Sequence, residues 1–235
     1  MNAIPSLIAG NKNVSLFTPT KNDEPINPCI LFAASLCNIK NIYRVGGVQA
    51  IGMMGFGNEQ FNKVDKIFGP GNMYVAEAKK QILSTFGECN IDMPAGPSEV
   101  LVVADEFADA DFVASDLLAQ LEHDIEAKGI LITINDNFVN KVIKSIEKQK
   151  INLSRKQIIK TAMVKNLIFI TTNSLENAIK ISNKFSPEHL IIQTNKNKEL
   201  TALVQNAGSV FIGKYSSEAL GDYISGTNHV LPTSG

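Results

Sequence analysis

Short runs of β-branched and aliphatic residues alternate along the chain with stretches whose apolar positions recur every three or four residues. The runs at 14–17, 41–45, 64–68, 99–104, 129–135, 166–171, 189–193 and 209–212 predict strands. The stretches at 27–37, 48–55, 73–86, 109–122, 137–148, 174–185 and 196–207 predict helices. Strands that alternate with helices of this length need crossover connections. The expected fold class is therefore α/β, as two Rossmann-like lobes with mostly parallel sheets flanked by helices. The loop "NIDMPAGPSE" concentrates Pro94, Gly96 and Pro97 near the middle of the chain and reads as a crossing between two sheets, giving lobes at 1–98 and 99–235. No internal repeat survives residue-by-residue comparison.

Composition narrows what these lobes can do. With 235 residues and 44% apolar content, each lobe can bury a core of its own. A formal charge of −1 gives no whole-chain electrostatic case for nucleic acid or an acidic membrane, so the expected ligand is a small molecule. One basic run, residues 141–160, tests that reading with seven basic residues against one acidic. Its Val142, Ile143 and Ile146 recur at helical spacing between lysines, the pattern of a surface helix packed on a sheet, and the solvated face is the better account. Cys29, Cys37 and Cys89 form no C-x-x-C pair and are odd in number, which argues against a disulfide framework or a cysteine-built zinc site. The first ten residues carry no basic leader pattern, and no apolar run reaches the roughly 20 residues a membrane helix needs. A cytoplasmic protein is the expectation.

Candidate chemistry gathers in a few places. "GGVQAIGMMGFG" after Val45 and "GPGN" after Phe68 are strand-to-helix turns at strand carboxyl ends, where open α/β sheets bind ligands. Neither matches the G-x-G-x-x-G fingerprint, so spacing alone favours tight turns with Asn72 as an ordinary helix N-cap over a nucleotide contact. The three histidines, His123, His189 and His229, all lie in the second half beside acidic or amide residues. On the helix through Leu117, a 100° step puts Val113, Ala114, Leu117, Leu118 and Leu121 on one side and Asp116, Gln120 and His123 on the other. Gln120 and His123, about 60° apart, can point at one atom and could supply two zinc ligands. Periodicity alone favours a polar solvated face. In "SPEHLII", Glu188 and His189 open a predicted strand. As neighbours they would point to opposite faces unless the chain turns there, leaving an acid/base pair and a strand-edge salt bridge both open. The segment from Gly221 to Gly235 has little regular pattern and many hydrogen-bonding groups, as ligand-carrying loops do.

Six stretches in order, "YRVGGVQAIG", "KIFGPGNMYVAEAKK", "IDMPAGPSEVLVVAD", "DLLAQLEHD", "SPEHLII" and "GDYISGTNHVLPT", together resemble the histidinol dehydrogenase family over essentially the whole chain. The resemblance implies an enzyme that uses zinc and NAD to oxidise L-histidinol through the aldehyde to L-histidine, ending histidine biosynthesis. It implies zinc held by Gln120, His123 and Asp222, and an acid/base pair of Glu188 and His189. It implies NAD contacts at Gln49 and Asn72 and a substrate contact at Ser98, with the zinc residues and His189 also touching substrate. His229 lies inside a family motif and is carried as a possible site residue. Family members are expected to have a segment before "MNAIPS" and a tail after "LPTSG" that supplies a further histidine ligand and contacts in a homodimer.

Two other classes remain compatible with the same motifs. One is a related zinc and NAD dehydrogenase of another small amino alcohol or polyol. The other is a chain that binds nucleotide without turnover.

Overall fold

The computed structural model describes residues 2–21, 24–86, 89–93, 96–222 and 231. The chain divides into two compact units, residues 1–95 and 96–235.

In the first unit, helix α1 (Ala3–Ile8) precedes strand β1 (Ser15–Phe17), α2 (Pro28–Leu36), β2 (Asn41–Tyr43) and α3 (Gly47–Phe56). Strand β3 (Lys66–Ile67), helix α4 (Met73–Phe86) and strand β4 (Asn90–Ile91) complete it. The described strands pair as β1 with β2 and β3 with β4, both parallel, so this lobe shows two short two-stranded sheets. Ile51, Ile67, Val75, Ile82 and Cys89 form its buried core. Gly55 lets α3 and α4 approach, since a Cβ there would lie 2.5 Å from Ile82. A second cluster is aromatic: Phe17 stacks on Tyr43 with centroids 4.8 Å apart, and Phe61 meets both edge-on.

The second unit is an open five-stranded parallel sheet of order β7-β6-β5-β8-β9. Its elements are β5 (Glu99–Ala104), α5 (Ala110–Leu121), β6 (Lys128–Thr133), α6 (Asp136–Gln149), α7 (Lys156–Asn166), β7 (Leu167–Thr171), α8 (Leu175–Phe185), β8 (His189–Gln193), α9 (Asn197–Thr201) and β9 (Ser209–Ile212). A 3₁₀ turn over Glu218–Asp222 follows. Every residue of β5 and β8 is buried, as expected of central parallel strands covered on both faces. Val100, Val102, Ala104, Leu131 and Ile191 pack under α5, α6 and α7. Leu101, Val103, Ile130, Ile132, Leu190 and Ile192 pack under α8 and α9.

Strands β5, β8 and β9 and helix α4 have the limits the sequence predicts. Elsewhere the differences have physical causes. The basic run is two helices, α6 and α7, joined by a 3₁₀ turn at Lys150–Asn152, because Leu153 and Ile159 start a second apolar stripe that joins the same core. Val142 and Ile146 are buried as the spacing requires, whereas Ile143 is partly exposed. The helix expected over 196–207 stops at Thr201, and its continuation is capped by Asn183, whose Oδ1 accepts the Gln205 and Asn206 N–H groups. Helix α1 and strand β4 lie where no element is predicted, each too short to carry a period. The three cysteines are free, and among the described residues no helix is long and apolar enough to cross a membrane.

Candidate active site

Glu188 and His189 stand at the amino end of β8, beside the amino end of β5. His189 is the first strand residue, and it shares a sheet face with Ile191 and Gln193, the face covered by α5. Glu188 precedes the strand and escapes its alternation. Both side chains therefore reach the backbone of one residue: the Glu99 N–H donates to Glu188 Oε2 at 3.0 Å, and His189 Nδ1 lies 3.2 Å from the Glu99 carbonyl oxygen. A carbonyl only accepts, so Nδ1 carries the proton and the ring's basic lone pair is on Nε2. Glu188 and Glu218 carboxyl oxygens each lie 3.8 Å from the same Nδ1.

Burial sets the electrostatics. Glu188 is 5% exposed and His189 1%. Burial pushes the Glu188 carboxyl up to about 7, against the Glu99 N–H bond that lowers it; the Glu99 carboxylate raises it further and a Ser98 hydrogen bond opposes. Glu99 is itself buried and paired with Lys128, Nζ to Oε1 at 2.9 Å. The backbone at Glu188 is held by the start of β9 and the residue before it: the Gly208 and Ser209 N–H groups donate to the Pro187 and Glu188 carbonyls at 3.0 and 2.9 Å. A Cβ on Gly208 would lie 2.6 Å from the Glu188 carbonyl oxygen, so only glycine permits that approach.

Helix α5 overturns the polar-face expectation. Gln120 is wholly buried and Asp116 is 8% exposed. They face the polar positions of β8: the Gln193 amide donates to Asp116 Oδ2 at 2.9 Å, and one turn on, Gln120 approaches the His189 end of the strand. In the orientation that hydrogen bonding requires, the Gln120 amide donates to Glu218 Oε1 and Oε2 at 3.1 and 3.3 Å, leaving its carbonyl oxygen as a donor to a metal. Desolvation raises the Asp116 carboxyl to about 7, with the Gln193 hydrogen bond opposing. His123 is exposed in the turn after α5, its N–H donating to the Gln120 carbonyl.

The Gln120 carboxamide and the His123 imidazole, three residues apart at a helix end, are of the donor types zinc accepts. Among the described residues no group of three or more His, Cys, Asp or Glu converges as a metal cage. The Asp222 side chain and all of His229 lie outside the described residues. Ser98 is half-buried beside Glu188, and its carbonyl accepts the Lys128 N–H. Gln49 and Asn72 are exposed in the first unit, at the starts of α3 and α4. Asn72 does cap its helix, Oδ1 accepting the Tyr74 and Val75 N–H groups at 3.1 Å, which leaves the amide nitrogen to face a ligand.

Sequence reasoning missed Glu218. Nothing in "SSEALGD" has a period or a motif, and its role follows only from the fold, which returns the segment after β9 to the end of α5. A cleft of about 400 Å³ opens at the opposite end of the sheet, lined by residues such as Asp105, Asn135, Ser174 and Asn195, but it contains none of these ionisable groups.

Three comparisons bear on the arrangement. A family model described as histidinol dehydrogenase matches residues 1–235. The chain is 51% identical over its whole length to a histidinol dehydrogenase of Vibrio vulnificus, of which it covers 53%, and 50% identical to one of Buchnera aphidicola subsp. Schizaphis graminum, again covering 53%. The crystal structure of histidinol dehydrogenase from Elizabethkingia anophelis superposes with a TM-score of 0.94 at 48% identity, covering all of this chain and 54% of that one. The chain spans about half the length of the curated relatives it matches.

Proposed function

Because the chain belongs to the histidinol dehydrogenase family, we propose that it takes part in the oxidation of L-histidinol through the aldehyde to L-histidine. The observation that carries this reading is the buried Glu188 and His189 pair anchored on both backbone groups of Glu99. Zinc, held by Gln120, His123 and Asp222, would supply a Lewis-acidic template for the substrate's amine and imidazole, and NAD, contacted by Gln49 and Asn72, the hydride acceptor.

His189, with Nδ1–H fixed on Glu99, takes the alcohol proton at Nε2 as hydride leaves the carbon. Glu188, held near neutrality by burial, then accepts a proton from water as that water adds to the aldehyde, and the hydrate loses the second hydride. Ser98 contacts the substrate and hydrogen-bonds Glu188. On this reading residues 1–98 carry the nucleotide contacts, and residues 99–235 the metal and acid/base groups. The homodimer of the family belongs to the same proposal.

Purified chain with zinc, NAD and a panel of amino alcohols tests it. NADH formed with L-histidinol and not with the others is the expected result. Turnover of a different alcohol alone, or nucleotide binding with no turnover of any, overturns it. Glu188→Gln is expected to spare alcohol-to-aldehyde oxidation more than aldehyde oxidation, and equal loss of both half-reactions in stopped flow would remove the division of labour between Glu188 and His189.

A further inference from the structure

In the first unit, the "GPGN" turn joins β3 to α4 with residues 70–74 exposed. Its base is held differently. Lys79, in the second turn of α4, is 3% exposed, and its Nζ donates to the Gly69 carbonyl at 2.5 Å and to Asp92 Oδ1 at 2.7 Å. The other Asp92 oxygen accepts the Gly69 N–H at 2.8 Å, and Oδ1 also accepts the Met93 N–H at 2.8 Å. Both peptide groups of Gly69, which has φ +132, are thus pinned by one buried ion pair.

A connection that only reversed the chain would need no such pair. The Asn72 cap already satisfies the first amides of α4, and Gly71 already gives the close approach to Val75. Burying two charges loses solvation that an apolar pair of the same size would not lose, so fixed geometry is the better account of the pair than stability. What it fixes is the exposed turn that carries Asn72.

We propose that Lys79 and Asp92 are positioning residues for the nucleotide, holding the Gly69 to Asn72 turn in the conformation that receives NAD. This rests on the reading of Asn72 as a nucleotide contact. Neither residue touches the nucleotide; both act through the Gly69 backbone. The turn is pre-shaped by the pair, so the ordering cost is met on folding and not on binding.

The test uses the whole chain and two measurements: NAD affinity by calorimetry and hydrogen exchange at the Gly69 amide. Lys79→Met removes the charge. Asp92→Asn, the gentler variant, keeps one acceptor oxygen but cannot accept the Gly69 and Met93 N–H groups together with Lys79. Glu77→Gln, at an exposed position of the same helix, is the control. The expected result is an NAD dissociation constant raised about tenfold or more in both variants, with Gly69 exchange accelerated and the control unchanged. Faster Gly69 exchange with unaltered NAD affinity overturns the positioning role alone, leaving a structural clasp. A wild-type chain that binds no NAD while Gly69 exchange still responds to Lys79→Met overturns the nucleotide reading itself, and the positioning role with it.

Discussion

Two buried carboxyl groups sit at opposite ends of the same sheet and differ in how they are used. At the carboxyl end of β5, Asp105 is 3% exposed, and its oxygens accept the Phe107 and Asn195 N–H groups at 3.0 and 3.1 Å, stitching the loops after β5 and β8 together. At the amino end, Glu188 is as deeply buried but faces an imidazole, a second carboxylate and a hydroxyl, and is pushed up to about 7. Ligands in open α/β sheets sit outside the carboxyl ends of the strands. In this sheet that end carries the cleft whose loops Asp105 ties together, and the proposed acid/base groups lie at the other. A carboxylate whose partners are the amides of two loops ties those loops together; one that burial desolvates beside an imidazole is placed for proton transfer.

The largest test of this contrast is pH. Glu188 and Asp116 both have carboxyls raised from ordinary values of 4.5 and 3.8 to about 7. Below about pH 3 both are largely protonated in the folded and unfolded chain, and their contribution to stability is fully present. Between the ordinary values and pH 7 the unfolded chain releases protons that the folded one keeps, so stability falls as pH rises through 7. Denaturant unfolding without metal should show the chain less stable at pH 8 than at pH 5, by up to about 3 kcal/mol for each group. Glu188→Gln and Asp116→Asn should each flatten that slope; a slope unchanged in both would assign it to other groups.

Gly208→Ala should come next. Its new Cβ would meet the Glu188 carbonyl, and relief requires moving β9 or the residue before β8, at about 2–3 kcal/mol. Its mark is directional: the Glu188 titration, followed by carboxyl NMR, should shift, whereas contacts at Asp105 stay. Smallest is Asp105→Ala, which removes the acceptor of the Phe107 and Asn195 N–H groups at a cost of about 1 kcal/mol but should leave the Glu188 titration in place. A Glu188 shift in that variant would mean that the two ends of the sheet are not independent.

The sequence reveals the larger sheet well for a physical reason. Strands β5 and β8 are buried on both faces and read as unbroken apolar runs, and their limits are the predicted ones. What it hides is anything set by packing across elements. Helix α5 looks polar along Asp116 and Gln120, because a helical wheel does not know that Gln193, Glu218 and His189 wait on that side. Adjacent strand residues are expected to diverge, yet Glu188 and His189 share Glu99 because Glu188 lies just outside the strand. The family is legible from the linked motifs and not from periodicity, and the Glu218 contact from neither.

His189 begins an interior strand of the sheet, flanked in register by Val100 on one side and Ser209 on the other. A group on an edge or in a loop can open on its own, while amides of a central strand exchange only when a whole cooperative unit comes apart. His189, the strand member of the proposed acid/base pair, therefore has no private breathing mode. Its amide should be among the slowest in the chain to exchange, so that a ligand at the proposed site would meet a floor that does not yield.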